Sequence, residues 1–176
     1  MNILHDIKAL SGEKDDIINV IIEIQKGSKN KYELDKETSL IKLDRVMKTS
    51  QDYPFDYGFV PQTHWHDGDP LDVVVLTTYP LMPGILLEAR VLAVMNMIDG
   101  GESDAKIIAV PAKDPRFDEM KDLDSIPAHT VKEIKHFFET YKSIQNVVVE
   151  IPTIGNKAEA VKVVKEGMSL YKELEK

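Results

Sequence analysis

Short runs of apolar and β-branched residues occupy the first half of the chain and predict strands. Residues 18–24, INVIIEI, form the first run and end before a glycine-containing turn. In residues 31–35, Tyr32 and Leu34 fall on one strand face and charged residues on the other. The aromatic, proline-bounded segment 53–61 is interpreted as irregular chain packed on the core. Further strands are predicted at 40–46, 73–76, 85–97 and 106–111, with a hairpin loop at 99–104.

The second half of the chain changes to helical spacing. Val131, Ile134, Phe138 and Tyr141 recur at intervals of three or four and predict a helix over residues 126–144. Another strand and a terminal helix are predicted after it, at 146–152 and from Asn156 onward. Asn156 and Glu159 have the spacing of a capping box, and the apolar stripe of the terminal helix consists of Val161, Val164, Met168 and Tyr171.

Short strands followed by two helices predict an α+β fold that is mainly β, a small barrel with helices packed against it. No linker or internal repeat divides the sequence, so we predict one domain over residues 1–176.

The charge and composition exclude several classes of protein. The net charge of −8 disfavours sequence-blind binding to nucleic acid or to an anionic membrane surface, since both require excess Lys and Arg. The sequence contains no cysteine, which excludes disulfides, thiolate zinc sites and cysteine nucleophiles. It has neither a signal-peptide pattern nor a run of about 18 apolar residues. We therefore expect a cytoplasmic protein that binds neither nucleic acid nor membrane.

The stretch DGDPLD places Asp67, Asp69 and Asp72 within six positions. Two carboxylates about 5 Å apart repel by about 3 kcal/mol at an effective dielectric constant of 20. A hard divalent cation is the usual compensation, although a solvated turn is an alternative because DG and DP are turn dipeptides. An EF-hand is excluded, because its ligand and glycine positions hold Leu71, Asp72 and Thr78.

Other charged residues on the predicted strands favour a cation site over a solvated turn at DGDPLD. Asp99 and Asp104 form a second acidic cluster, with Lys106 on the same strand face as Asp104. Lys31 and Glu33 project together, and Glu23 lies on the preceding strand. Carboxylates combined with lysines favour metal ions that hold an anion rich in oxygen, as in phosphoryl transfer. The sequence has no GxxxxGK[ST] loop, so a P-loop nucleotide site is not supported.

The histidines of HWHD offer a competing metal site. His64, His66 and Asp67 are clustered as in some transition-metal centres. We consider this interpretation the weaker one and expect Trp65 to be packed, with its neighbours in a loop.

These motifs together resemble the family I soluble inorganic pyrophosphatases, in particular the prokaryotic members. DGDPLD matches the family signature D-G-D-P-x-D. The resemblance covers about residues 15–150, through VIIEI, KYELDKE, LDRVM, YPFDYGFVP, DAKIIAVP and HFFETYK in the family's order. It implies a five-stranded OB-type closed barrel with helices packed outside.

The resemblance also implies an activity, a cofactor and an assembly. The implied reaction is hydrolysis of pyrophosphate to two orthophosphates by several Mg²⁺ ions, with a metal-bridging hydroxide as the nucleophile. Mn²⁺, Co²⁺ or Zn²⁺ are possible substitutes. The implied assembly is a homo-oligomer, usually a hexamer in prokaryotes.

By position, the resemblance implies three kinds of site residue. Asp69 would act as the base for the attacking water. The metal ligands would be Asp67, Asp72, Asp99, Asp104, Glu33 and Glu23, with Asp72 bridging the tighter metal pair. The phosphates would be held by Lys31, Arg45, Tyr57, Lys106, Tyr141 and Lys142.

Several of these positions have a second interpretation. Arg45 shares strand parity with Leu43 and would face the core unless the strand ends or bulges first. Tyr141 lies on the apolar helix stripe and could fill the core as well as hold phosphate. His136 matches a histidine that the family uses between subunits, but residue 140 is threonine instead of the partner histidine often found there. Gly100 lies where many relatives have an acidic residue.

Two other functions are compatible with the same residues. An OB-type binding module could use the acidic loops to hold structural calcium, and would release no phosphate. A two-metal enzyme could act on nucleotides or polyphosphate, although no base-stacking platform is evident in the sequence.

Overall fold

The computed structural model describes residues 2–174, which form mainly β-structure with two α-helices. No helix in this range is both long enough and apolar enough to cross a membrane. The strands are β1 Ile17–Ile24, β2 Asn30–Asp35, β3 Leu40–Val46, β4 Asp56–Phe59, β5 Asp72–Val75, β6 Leu86–Asp99, β7 Glu102–Ser103, β8 Lys106–Pro111 and β9 Val149–Gly155. The helices are α1 Ala128–Thr140 and α2 Lys157–Leu174, with short 3₁₀ turns at Pro115–Phe117, Leu123–Ser125 and Ser143–Gln145.

Five of the strands form a continuous series of pairs: β1, β4, β5, β8 and β6 each pair with two others of these five. β1 pairs antiparallel with β4 and with β6. β4 pairs antiparallel with β5, β5 pairs parallel with β8, and β8 pairs antiparallel with β6. The end of β6 also pairs with β9 and with the short β7. β2 and β3 form a separate two-stranded hairpin.

The predicted mainly β fold is confirmed, with corrections at three elements. Segment 53–61 is not wholly irregular, because β4 forms within it between β1 and β5. The helix predicted over 126–144 is shorter, and a 3₁₀ turn follows it. The strand predicted at 146–152 begins later, at Val149, the first residue to pair with β6; Val148 before it is exposed.

Strand β5 is buried on both faces, which explains its uninterrupted run of valines. Val74 packs in one hydrophobic cluster, which includes Phe137 and Phe138 of α1. Val73 and Val75 pack in another cluster, which includes Ala160 and Val164 of α2. The sheet is therefore fixed between the two helices by apolar contacts.

Aromatic residues pack between α1 and the strands and form the aromatic layer. Tyr53 and Phe137 have ring centroids 4.9 Å apart, and Phe55 stacks on Phe138 at 5.5 Å. Such pairs stabilise beyond the area that they bury. The members of this layer are Tyr53, Phe55, Tyr57, Phe137, Phe138 and Tyr141.

The capping box predicted for the terminal helix is confirmed. The amide of Glu159 donates to Asn156 Oδ1 at 3.1 Å, and the amide of Asn156 donates to Glu159 Oε2 at 2.8 Å. Asp122, from the 3₁₀ region before α1, adds a further cap by accepting the Lys157 amide at 2.9 Å. Its carboxylate also accepts the Leu123 amide at 2.7 Å.

Gly58 allows β4 to approach β1 closely. A Cβ at this position would lie 1.9 Å from the carbonyl oxygen of Ile21, so the paired backbones would have to separate. We expect Gly58→Ala to lower the free energy of unfolding by about 3 kcal/mol, as in severe overpacking.

In α2, the nearest atom to a Cβ on Gly167 lies 3.4 Å away. Gly167→Ala should therefore raise stability by up to about 1 kcal/mol through helix propensity. Urea unfolding measures both, and equal effects would contradict this account.

Asp122 should make stability depend on pH. Its hydrogen bonds from the backbone amides of Lys157 and Leu123 lower the pKa of its carboxyl group in the folded protein. The stabilisation is therefore present above the unfolded pKa, near 3.8, and is lost as the pH falls through the lower folded value. At pH 7, Asp122→Ala should lower the free energy of unfolding by about 1–2 kcal/mol.

This loss should shrink in acid, and denaturant unfolding at pH 7 and below pH 3.8 measures it. Asp124→Ala, at an exposed neighbouring position, is the control and should change little. A loss that stays constant with pH would contradict the role of the carboxylate.

Candidate active site

One cleft of about 260 Å³ collects every site residue predicted from the sequence. They come from β1, the β2–β3 hairpin, β4, the loop before β5, the β6–β8 region and the end of α1. The residues that line it are Glu23, Lys31, Glu33, Arg45, Tyr57, Asp67, Asp69, Asp72, Asp99, Asp104, Lys106, Tyr141 and Lys142.

Lys106 lies at the buried base of the cleft. Its Nζ donates to Asp72 Oδ2 at 2.8 Å and to Asp104 Oδ1 at 2.7 Å. The parallel register of β5 and β8 places Asp72 opposite Lys106, and Asp104 precedes Lys106 by two residues. Nζ also lies 5.5 Å from the centre of the Tyr57 ring and 5.6 Å from that of Phe138. Burial alone would lower the pKa of Lys106, but the two carboxylates more than offset it, so the pKa is raised and the lysine is charged.

The carboxyl groups around Lys106 have raised pKa values. Burial is the largest cause for Asp67, Asp72 and Asp104, because it withdraws water from the ionised form. Neighbouring carboxylates add to this effect, since the charge of Asp72 raises the pKa of Asp67 and the charge of Asp67 raises the pKa of Asp104. Burial also raises the pKa of Tyr57 well above the usual value, and the nearby charge of Asp72 adds to the shift. The cluster is thus short of positive charge.

Glu23 extends the buried acidic region from β1. Its carboxyl group accepts the amide of Leu34 at 2.7 Å. Burial, with a smaller contribution from the charge of Asp72, raises the pKa of Glu23 to about 8. At neutral pH the side chain is therefore mostly protonated, and an adjacent cation would favour its ionised form.

The aspartate loop, residues 67–72, turns at Gly68, whose φ of +89° favours glycine. The amide of Asp69 donates to Asp67 Oδ1 at 3.1 Å, and the Asp69 carbonyl accepts the amide of Trp65 at 2.8 Å. The Asp69 side chain is 63% exposed, in contrast to Asp72 at 22%. Lys36 Nζ reaches Asp69 Oδ1 at 2.7 Å, a contact that no sequence pattern indicated.

The β2–β3 hairpin contributes three of the predicted residues. Lys31 pairs with Glu33, and Arg45 pairs with Asp44. The register shifts between Lys31 and Tyr32, which pair with Arg45 and Leu43, so Asp44 is bulged. Because the strand bulges before Arg45, this side chain does not face the core. Arg45 lines the cleft, whereas Leu43 is exposed.

The end of α1 contacts the end of β6. Lys142 forms an ion pair with Asp99, and the Tyr141 hydroxyl lies 3.5 Å from Asp99 Oδ2. Tyr141 also stacks on Phe137 at 5.4 Å, so it serves the core and the cleft together. Its burial raises its pKa, which keeps the phenol a neutral donor. Gly100, with φ of +60°, turns the chain into β7 directly after Asp99.

Several residues that line the cleft were not predicted from the sequence. Apolar periodicity and strand parity indicate burial but not which buried side chains border a polar cleft, and Lys36 lies in a polar link without any such signal. The missed residues are Tyr32, Leu34, Lys36, Tyr53, Phe59, Pro70, Glu102 and Phe138.

The histidines have other contacts. His66 Nε2 lies 3.3 Å from Glu166 Oε1 of α2, and the amide of His64 donates to the Gly167 carbonyl. Within residues 2–174, no three His, Asp or Glu side chains surround a common point at metal-ligand distances. The hydroxyl of Thr140 donates to the His136 carbonyl at 2.6 Å and accepts from Gln51 within the same chain.

Comparison with known proteins gives consistent matches. The family model described as Inorganic pyrophosphatase matches residues 20–172. The inorganic pyrophosphatase of Geobacillus stearothermophilus is 47% identical over 157 residues, covering 89% of this chain and 95% of that protein. A soluble inorganic pyrophosphatase from Solanum tuberosum is 46% identical over 169 residues, covering 96% and 80%.

A solved structure extends the match to the fold. The inorganic pyrophosphatase from Thermus thermophilus superposes with a TM-score of 0.92 at 39% identity, covering 98% of this chain and 99% of that chain. The DGDPLD signature, the cleft and these matches agree, and the chain belongs to the family I soluble inorganic pyrophosphatases.

Proposed function

We propose that this protein hydrolyses inorganic pyrophosphate to two orthophosphates in the cleft, with bound divalent cations and magnesium as the expected ion. One observation carries the proposal: acidic and basic side chains far apart in sequence line a single cleft of about 260 Å³. Membership of the pyrophosphatase family supports the same reaction.

The chemical type of the donors fits hard divalent cations. The ligand candidates are carboxyl groups, the oxygen donors that Mg²⁺ prefers. The raised pKa values of Asp67, Asp72 and Asp104 reflect carboxylates that burial destabilises, and a cation would stabilise their ionised form. The proposed ligands are Asp67, Asp72, Asp99, Asp104, Glu33 and Glu23. When bound, the cations would lower the pKa of the attacking water and neutralise charge on the phosphates.

The cations of the chain itself would bind the phosphates. Lys106 already holds two carboxylates, and Lys142 holds Asp99, so a phosphate oxygen would share or replace these partners. Arg45 offers a planar fork to a phosphate, whereas Tyr57 and Tyr141 remain neutral hydrogen-bond donors. Lys31 completes this group on the hairpin.

Asp69 would act as the base. Its carboxylate is exposed toward solvent, between the less exposed Asp67 and Asp72 of the same loop, so it has access to a water molecule. This position supports removal of a proton from the attacking water. Attack by a hydroxide that bridges two cations stays a prediction.

We also propose the architecture and setting that the sequence predicted. The pairings of β1, β4, β5, β8 and β6 run from strand to strand and return to β1, which supports a closed five-stranded OB-type barrel. A single domain, a cytoplasmic location and a homo-oligomer, expected to be a hexamer, remain predictions.

Asp69→Asn tests the base. We expect kcat for magnesium pyrophosphate to fall at least about a hundredfold, because the amide cannot accept the proton. Magnesium binding, measured by calorimetry, should remain. Asp118→Asn, an exposed position outside the cleft, is the control and should retain normal turnover. Normal turnover of Asp69→Asn would remove Asp69 from the mechanism.

Absence of phosphate release by the wild-type protein would favour the calcium-binding module, and a preference for nucleoside triphosphates would favour the nucleotide enzyme.

Magnesium should stabilise the folded protein through the carboxylates of the cleft. At a hundred times the dissociation constant, a ligand specific for the folded state adds about 2.7 kcal/mol to the free energy of unfolding. Urea unfolding with and without Mg²⁺ measures this increment, which we expect Asp104→Asn to lose for the most part. Asp118→Asn should keep the wild-type increment. An unchanged free energy of unfolding for the wild-type protein in Mg²⁺ would contradict the proposed metal site.

A further inference from the structure

Lys36 connects the β2–β3 hairpin to the aspartate loop. It directly follows β2, and its Nζ lies 2.7 Å from Asp69 Oδ1 and 3.2 Å from the Gly68 carbonyl oxygen. One ammonium group thus holds two successive residues of a loop that is 33 positions away in sequence. We propose that Lys36 is a positioning residue that orients the Asp69 carboxylate for the reaction. This inference rests on the proposed function, in which Asp69 is the base.

The turn that carries Lys36 is itself fixed. The Asp35 carboxylate accepts the Thr38 hydroxyl at 2.5 Å, and the Asp35 carbonyl accepts the amide of Ser39 at 2.8 Å. Ser39 has a φ of +57°, so the chain reverses within a few residues before it enters β3. Because both sides of Lys36 are held by these contacts, the backbone of Lys36 is anchored while its long side chain extends to the loop.

The contacts within the aspartate loop leave the Asp69 side chain free to rotate. The hydrogen bonds from its amide to Asp67 and from Trp65 to its carbonyl fix the main chain. They do not set the side-chain torsions of an aspartate that is 63% exposed. The ammonium of Lys36 acts on the carboxylate itself and so selects one orientation. The hairpin and the aspartate loop would then be held in one arrangement around the substrate.

The loss of turnover expected on removal of Lys36 follows from the solvent exposure of the Lys36–Asp69 ion pair. Lys36 is 52% exposed and its partner 63%, so water screens the pair. Pairs of this kind change an equilibrium by less than about tenfold. A positioning role therefore predicts a moderate fall in turnover, about threefold to tenfold, and not the large loss expected for removal of the base.

Steady-state kinetics of the full-length protein with magnesium pyrophosphate provide the first test. Lys36→Ala should lower kcat about threefold to tenfold and change KM by less than about twofold, and Lys36→Arg should restore most of the loss. Lys48→Ala is the matched control, since Lys48 is exposed and does not line the cleft. A raised KM with unchanged kcat would overturn the proposal and make Lys36 a phosphate-binding cation. Unchanged kinetics would also overturn it.

The double variant Lys36→Ala with Asp69→Asn tests whether Lys36 acts through Asp69. If it does, Lys36→Ala should cause no further loss once the carboxylate is absent. A full additional loss in the Asp69→Asn background would place the effect of Lys36 elsewhere and overturn the proposal.

Hydrogen exchange without metal or substrate gives a readout that is independent of turnover. In Lys36→Ala, the amides of Trp65, Gly68 and Asp69 should exchange faster than in the wild-type protein and in Lys48→Ala, because the loop loses its contact with the hairpin. Unchanged exchange would overturn the proposal. Normal turnover by Asp69→Asn would instead refute the base in the proposed function, while the exchange experiment would still report the Lys36 contact.

Discussion

The buried ammonium of Lys106 is the constraint on which the cleft depends. It lies between Asp72 and Asp104, and the parallel pairing of β5 with β8 sets this arrangement. A buried charge without a partner costs about 3–5 kcal/mol, so the three groups require one another. A one-residue slip in register would turn these side chains to the opposite strand face. The sheet therefore fixes the electrostatics of the site before any ligand binds.

The aromatic layer makes that charge cluster effective. Tyr57 and Phe138 lie near the ammonium and exclude water, which strengthens interactions among the charges. The same exclusion raises the pKa of the carboxyl groups, so the cluster favours any additional cation. With Glu102 and Lys36 included, eight carboxyl groups and five basic side chains line the cleft, a formal charge of −3. An anionic substrate would therefore need cations to enter, and the carboxyl groups would bind them.

Local patterns were sufficient for most elements but not for the site. The capping box of Asn156 and the valine run of β5 depend on residues close in sequence, so the sequence predicted both elements. β4 was missed because its pairing with two distant strands outweighs the turn-like composition around Gly58. No periodicity indicates that Asp99 meets Lys142, and only the family resemblance placed them together.

Asp72 and Asp69 of the aspartate loop differ in solvent exposure and in proposed role. Asp72 is held by a buried lysine and by strand pairing, which suits its proposed role as a metal ligand whose position must not change. The proposed base, Asp69, must reach water and therefore cannot be fixed by burial in the same way. An exposed carboxylate is oriented at little cost by a reversible ion pair from a separate element, which a substrate or metal can displace. The hairpin is such an element, because β2 and β3 pair with each other, apart from the main sheet, and both contribute side chains to the cleft.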